Sequence, residues 1–578
     1  MKFLSVIALL LPMWCWAQND AIKHSYLPAK RIVWQQGVDN ARVLLKPGIH
    51  QAELYGNNSC VLKSRDGKAD AIILDFGKEI HGGLEIVTTG FSGKTPIKVR
   101  LRFGESVSET LSDVGVDGAT NEHSLRDFEQ LLPWMGRVEV GNTGFRFVRI
   151  DLLDKNRELK LQEVSAISKM RDIPYLGSFE CDDEQLNEIW KTGAHTVHLN
   201  MQDYLWDGIK RDRLVWVGDM HPEVMTINAV FGYNEVVPKS LDYIREATPV
   251  SKWMNNISSY SMWWLLIQRD WFMAHGDKAY LKKQKEYTKA LLKKLMSKVD
   301  ENGVERLDGT RFLDWPTSRD QQTIKLGYQS LLILTLEAGA EIMEVLGDKS
   351  MAKECLQKVE LMKNSHLMID AKSKQAAALL ELASIIDANK AEEIILKDGP
   401  KRFSTFYGYY MLEALAKTGA YKEALDIIKQ YWGGMLKLGA TSFWEDFDIN
   451  WMKNAGKIDE MPAQNLVDVH RKYGAYCYKN LRHSLCHGWA SGPTAWLSAH
   501  VLGVKVIEAG CRKVEIEPHL GDLKWAKGTF PTPYGNIEIA HKKNSNGKIE
   551  TQVTAPKEVK VTVKNALPTS IKKKKKAN

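Results

Sequence analysis

A chain of 578 residues with 44% hydrophobic and 26% charged residues has the make-up of an ordinary globular protein, with core enough for two or three domains. Its formal charge of +8 is concentrated at the ends, with Lys2 in an apolar leader and five lysines in the tail "IKKKKKAN". The body is close to neutral, which excludes the electrostatic footprint of nucleic-acid binding.

In chain order, the first element is the leader "MKFLSVIALLLPMWCWAQ". Its basic Lys2, apolar run and small residue at Ala17 predict a secretory signal peptide over 1–17 and a periplasmic mature protein. No later run is long and apolar enough to span a bilayer. Cys60, Cys181, Cys355, Cys477, Cys486 and Cys511 remain after cleavage. They are scattered and lack zinc spacing, so buried thiols are expected, and the short spacing of Cys477 and Cys486 assigns no disulfide.

From 18 to 175 the pattern is short and alternating. "AIILDFG", "GLEIVTTG", "IKVRLRFGES" and "FRFVRIDLL" read as strands between Gly, Asn, Asp and Ser turns, predicting a β-sandwich of the jelly-roll kind. At "RDIPYLGSFECDDEQLNEIW" the period changes, and Asp182 or Asp183 can cap a helix that turns Leu186, Ile189 and Trp190 inward. Over 176–508 the period stays helical, through about a dozen amphipathic stretches from Gln185–Leu205 to His470–Leu481 and Gly492–Leu502. This predicts an α/α toroid of alternating inner and outer helices. Alternation returns over 509–565 as a small C-terminal β-domain, and 566–578 reads as a disordered basic tail.

In such a toroid the loops at one end converge, and charged or aromatic residues on them are site candidates. The connection "YLWDGIKRDRLVWVGDMHPE" holds Asp207, Arg211, Asp212, Arg213 and Asp219 beside Trp206 and Trp216. Taken singly, these residues fit a helix cap, surface ion pairs and core indoles; crowded together they suit a ligand needing hydrogen bonds and a stacking face. "GATSFWEDFDIN" offers Glu445, with Asp446 and Asp448, and "SLCHGWASGPTAWL" offers His487. "RFLDWP" adds Asp314 and Trp315. P-loop, dinucleotide, H-E-x-x-H and G-x-S-x-G motifs are absent from the sequence. Paired carboxylates among indoles suit glycoside hydrolysis, which needs an acid, a base and aromatic faces.

"DGIKRDRLVWVGD" resembles the D-C-P-Q-R-E-R-L-G-W-T-G-D signature of bacterial α-L-rhamnosidases. "TSFWEDFD" resembles their T-T-x-W-E-x-W-D segment and "SLCHGWASG" their S-x-N-H-Y-A-x-G segment, in the same order. The resemblance implies a multidomain protein with an (α/α)6 barrel catalytic domain between an N-terminal β-sandwich and a small C-terminal β-domain. It also implies inverting, cofactor-free hydrolysis of oligosaccharides or polysaccharides bearing terminal α-L-rhamnose or a similar sugar, and no residue is assigned to a metal. By position, Glu445 would be the general base. Asp207, Arg211, Trp216 and Asp219 would bind or orient the sugar, and Trp315 and His487 would line its pocket. Asp212 stands where the family has its proton-donating glutamate, one methylene shorter. Lys210, where the signature has glutamine, offers a charge for an acidic neighbouring sugar. The substituted donor leaves two alternatives. One is a lyase eliminating rhamnose from a uronate, with Arg211 or Lys210 neutralising the carboxylate and His221 or Tyr260 as base. The other is a sugar-binding protein without catalysis.

Overall fold

A computed structural model describes residues 21–54, 58–64, 70–474 and 478–574. The predicted signal peptide and Cys477 lie outside the described residues. The N-terminal domain is built from β1 (Ile22–Pro28), β2 (Arg31–Gln36), β3 (Val38–Asp39), β4 (Cys60–Lys63), β5 (Ala71–Phe91), β6 (Ile97–Gly104), β7 (Asp127–Leu132), β8 (Gly136–Leu152) and β9 (Glu158–Arg171). They form one nine-stranded sheet in the order β3-β4-β9-β5-β8-β6-β7, with β1 on β9 and β2 on β5. The long β5 serves two layers. Its first half pairs with β2 and β8, its second with β8 and β9, and the register breaks between Asp75 and Ile80 and between Gly82 and Leu84 let it bend. Leu74, Leu84, Ile86, Val99, Leu101, Phe103, Phe145 and Ile150 fill the space between. A short helix, α1 (Val107–Leu111), follows β6.

The helical domain follows the short strand β10 (Ser178–Cys181). It runs through α2 (Glu184–Asn200), α3 (Met220–Val230), α4 (Val236–Ala247), α5 (Ser258–His275), α6 (Lys278–Ser297), α7 (Gln321–Val345), α8 (Lys349–Lys363), α9 (Lys374–Leu382), α10 (Ala388–Leu396), α11 (Gly408–Thr418), α12 (Tyr421–Lys437), the single turn α13 (Val469–Lys472) and α14 (Gly492–Trp496). Sequence pattern decides which helices lie inside. In α6 only one stripe, including Leu281, Gln284, Thr288, Leu291 and Leu295, is buried, so it packs by one face. In α9 every residue from Lys374 to Glu381 is buried, as in the interior of a ring. The inner ring closes: α3 packs on α5, α5 on α7, α7 on α9, α9 on α11, α11 on α14, and α14 returns to α3. This is the (α/α)6 barrel, and among the described residues no helix is long and apolar enough to cross a membrane.

Asp183, not Asp182, caps α2, accepting the N–H groups of Gln185 and Leu186. Asp182 instead accepts the Lys524 N–H at 3.0 Å. Several elements differ from the sequence reading. The predicted helix His470–Leu481 is one turn, α13, because the chain turns at Gly474 with φ +106°. A helix unmarked by the sequence reading, α10, buries only Ala391 and Ile395. The C-terminal domain begins at Val504 rather than 509, because Val504–Glu508 pairs with Lys513–Ile516. The tail is not free at 566: Leu567–Lys573 pairs in parallel with Ile549–Ala555, a sheet edge that holds its backbone although its side chains are mostly exposed. Cys60, Cys181, Cys355, Cys486 and Cys511 are buried free thiols.

Candidate active site

The N-termini of the inner helices gather at one mouth of the barrel. Asp219 precedes α3, Tyr260 lies in the first turn of α5, and Trp315 leads toward α7. His487 stands just before the turn into α14, and Glu445 on the loop after α12. Backbone pairing fixes the loops to one another. Gly208 bridges His487, the Gly488 N–H donates to the Asp207 carbonyl at 2.9 Å, and the Glu445 N–H donates to the Ser484 carbonyl at 3.0 Å. Between them is a cavity of about 340 Å³ lined by Asp207, Asp212, Trp216, Asp219, Tyr260, Arg311, Phe312, Trp315, Glu445, Tyr478, His487 and Trp489, a size that suits one or two sugar rings.

His487 Nε2 is the hub. It lies 3.8 Å from Asp207 Oδ2, 3.7 Å from Asp219 Oδ2 and 3.8 Å from Glu445 Oε1. Burial, with Arg211 nearby, lowers the imidazole well below its ordinary pKa, so it stands neutral among the acids. Asp219 occupies the cap position of α3, but its carboxylate makes no cap bond; it accepts the Tyr260 hydroxyl at 2.6 Å instead. Asp207 Oδ1 accepts the Leu214 N–H at 2.9 Å, which closes the charged loop on itself. Burial raises both aspartates well above the usual carboxylate range.

Asp212 and Arg213 both take left-handed backbone, φ 50° and 58°. Asp212 Oδ2 accepts the Trp216 indole N–H at 3.1 Å, and Oδ1 lies 3.3 Å from Arg211 Nη2 and 3.3 Å from His123 Nε2. The same Arg211 nitrogen lies 3.9 Å from Glu445 Oε1, so the two carboxylates stand no more than about 7 Å apart, within the reach of an acid–base pair. Glu445 is fully enclosed. Burial pushes its carboxyl up to about 7, Arg211 pulls it back, and Asp212 adds to the rise. Its Oε2 accepts the Ser484 N–H at 3.4 Å, and its backbone carbonyl takes the Trp489 indole N–H at 2.9 Å.

Of the eight residues placed in the site by the resemblance, Asp207, Asp212, Trp216, Asp219, Trp315, Glu445 and His487 line the cavity, and Arg211 stands directly behind it with its guanidinium 3.6 Å over the Tyr478 ring. Trp315 meets Tyr478 and Phe312 edge-on at the mouth. Lys210 is corrected: it faces away from the cavity, its Nζ buried 3.0 Å from Glu105 Oε2 and 3.3 Å from Glu109 Oε1 of the N-terminal domain. His221 does not line the cavity either; it bonds the Tyr410 hydroxyl at 3.0 Å and Asp270 at 2.9 Å. Tyr260 does, but burial and Asp219 raise its phenol well above the ordinary value, so it serves as a donor rather than a base. Asp314 is buried beneath, bonded to Ser404 and Gln375. Trp444 is core. The sequence reading missed Tyr478, Arg311, Phe312 and Trp489, and also His123, which arrives from the other domain. Residue type was the only signal for the first four, and His123 had none.

A larger cavity of about 680 Å³ opens at the opposite mouth, toward the C-terminal domain, with Asp270, Glu413, His500 and His519 among its lining. None of the sequence-predicted site residues faces it, and the convergence of carboxylates makes the smaller cavity the chemical one.

Residues 174–367 match the model of the bacterial alpha-L-rhamnosidase 6 hairpin glycosidase domain, and residues 503–578 that of the bacterial alpha-L-rhamnosidase C-terminal domain. An alpha-L-rhamnosidase of Alteromonas sp. (strain LOR) is 24% identical over 89% of the chain. Another, of Formosa agariphila, is 21% identical over 85%. The chain spans 58% and 54% of these two relatives' lengths. The fold is that of a GH78 family rhamnosidase of Bacillus sp. GL1 (TM-score 0.72, 23% identity, 90% of this chain and 56% of that one). It is also that of a rhamnosidase from Klebsiella oxytoca with rhamnose bound (TM-score 0.66, 20% identity, 83% of this chain and 96% of that one).

Proposed function

We propose that this chain, which carries the six-hairpin glycosidase and C-terminal domains of the bacterial α-L-rhamnosidases, is a glycoside hydrolase that removes terminal α-L-rhamnose from plant-type glycans with inversion. The observation that carries the hydrolase reading is the buried Glu445, pushed up to about 7, held within about 7 Å of the second carboxylate Asp212 by a shared arginine; the inversion is taken from the rhamnosidase resemblance. A carboxyl near neutrality is strong enough to take a proton from water and still ionised often enough to act.

In this reading rhamnose enters with its ring against Trp216 and Trp315. Asp207, Asp219 and the neutral His487 hold its hydroxyls. Asp212 gives its proton to the glycosidic oxygen as the bond to the anomeric carbon breaks. Glu445 takes a proton from the water that attacks that carbon from the other face. Arg211 keeps Glu445 ionised and Asp212 in place. The elimination alternative lacks its base, since His221 is tied to Tyr410 and Asp270 and Tyr260 is a held phenol. The basic, apolar leader over 1–17 supports export to a periplasm-like space.

Replacing Asp212 by Asn tests the assignment. Turnover on a natural rhamnoside should fall by about a hundredfold or more, the usual scale for a lost acid. Rhamnose binding, read by Trp fluorescence, should stay within a few-fold. Undiminished turnover would remove Asp212 as donor; absence of turnover in the parent together with tight rhamnose binding would favour a binding protein.

A further inference from the structure

Strand β6 ends at Gly104, and the next residues, "ESVSE", make a locked turn. Ser106 Oγ accepts the Glu109 N–H at 3.2 Å, and Glu109 Oε2 accepts the Glu105 N–H at 2.8 Å. This reciprocal capping fixes the backbone that presents Glu105 to the barrel. The Glu105 carboxylate is wholly buried and grips two loops at once. Its Oε2 accepts the Leu485 N–H at 2.6 Å and lies 3.0 Å from Lys210 Nζ, while Oε1 accepts the Ser484 hydroxyl at 3.3 Å.

Each partner adjoins a reacting group. Lys210 precedes Arg211 and Asp212. Ser484 holds Glu445 by its N–H on the carboxylate and by its carbonyl on the Glu445 N–H. Leu485 lies two residues before His487. The Lys210 ammonium also donates to the Leu481 and His483 carbonyls, at 3.2 and 2.7 Å, so it ties the two loops directly. Glu79, Glu109, Arg126, Lys210, His470 and His483 stand about this junction. Burial raises Glu105 to about 7 despite Lys210, and Glu105 and Glu109 hold the lysine above its ordinary value against its own burial. Glu105, Glu109 and His470 bring their ligand atoms within 4.8 Å, but the ammonium already supplies the positive charge there.

We propose that Glu105 is a positioning residue of the reaction: one carboxylate of the N-terminal domain, holding Lys210 on one loop and Ser484–Leu485 on the other, sets the gap between Asp212 and Glu445. It touches no substrate. The role rests on the hydrolase reading, and it matters more here because Asp212 is a methylene short of the family's glutamate. A displacement of about an ångström at such a pair costs on the order of a hundredfold.

The test is Glu105→Gln in the full chain, with Lys210→Met as the other end of the same contact. Each is assayed per folded molecule, well below its melting transition. We expect kcat to fall about tenfold or more in both, with KM within about twofold. The double variant should be no worse than the poorer single one, because both act through one contact. A crystal structure of either variant should show the Lys210–Asp212 and Ser484–His487 segments shifted apart. A kcat within twofold of the parent in a folded variant, multiplying losses in the double, or superimposable loops would overturn the proposal. Should one variant fail to fold, the other decides. If the parent releases no rhamnose, it is the hydrolase reading that fails, and the loop positions still decide the role of Glu105.

Discussion

Burial and two charged neighbours set the ionisation of Glu445. Burial raises its pKa to about 7, Arg211 lowers it and Asp212 raises it further. A base must be ionised, so kcat/KM should rise with pH through a limb near 7. Arg211→Met removes the pull-down and should move that limb to higher pH. Asp212→Asn removes a like charge and should move the limb of the residual activity to lower pH. Profiles from about pH 5 to 9 check both signs, and a limb indifferent to either change would show that another group titrates there. The opening stretch of the site was legible as a cluster but not as directions. Its backbone is irregular, with Asp212 and Arg213 left-handed, so no period says that Arg211 points at Glu445 while Lys210 points the other way. His123 carried no signal at all. It lies 89 positions before Asp212 and reaches that residue only through the packing of one domain on another.

At the scale of the element, the close approach of α3 to the turn before α14 makes the pocket floor. Gly488 is the glycine that permits it: a Cβ there would lie 1.6 Å from Glu223 Oε1 and 2.8 Å from Asn200 Nδ2. Glu223 is itself buried on α3, one turn beyond Asp219, and burial raises its carboxyl well above the ordinary range. Gly488→Ala should therefore destabilise the protein by about 1–3 kcal/mol and displace His487, with activity falling more than the loss of folded protein explains. Thermal melts beside kcat/KM check this; a variant with parental values would show that the floor yields freely. The helices that make this barrel were legible as amphipathic stretches, most plainly where burial is one-sided, as in α6, while the all-round burial of an inner helix such as α9 was not. What periodicity did not give was the break at Gly474, which lies in one left-handed residue, or the strand pairing of the tail, which depends on a backbone partner elsewhere in the chain.

At the scale of the whole molecule, the N-terminal sheet and the barrel meet through polar contacts, and those nearest the site are Glu105 and Glu109 against Lys210, and His123 against Asp212. Removing residues 21–173 would leave the Lys210 ammonium without its carboxylates and the Asp212 loop without its wall. The truncated chain should lose activity by at least about a hundredfold even where it remains soluble, which side-by-side assays of rhamnose release would check. Full activity in the barrel with its C-terminal domain alone would contradict a shared site. Domain order was readable from the change of period along the chain, but the dependence of one domain's chemistry on the other was not, because a buried ion pair across an interface leaves no local pattern. The most direct measurement is proton NMR of the first turnovers on a rhamnose-capped plant oligosaccharide, following the released sugar before it mutarotates. Inverting hydrolysis by Asp212 and Glu445 predicts β-L-rhamnose first, with no ultraviolet-absorbing unsaturated product. Release of α-L-rhamnose first, a new double bond, or no release would contradict it.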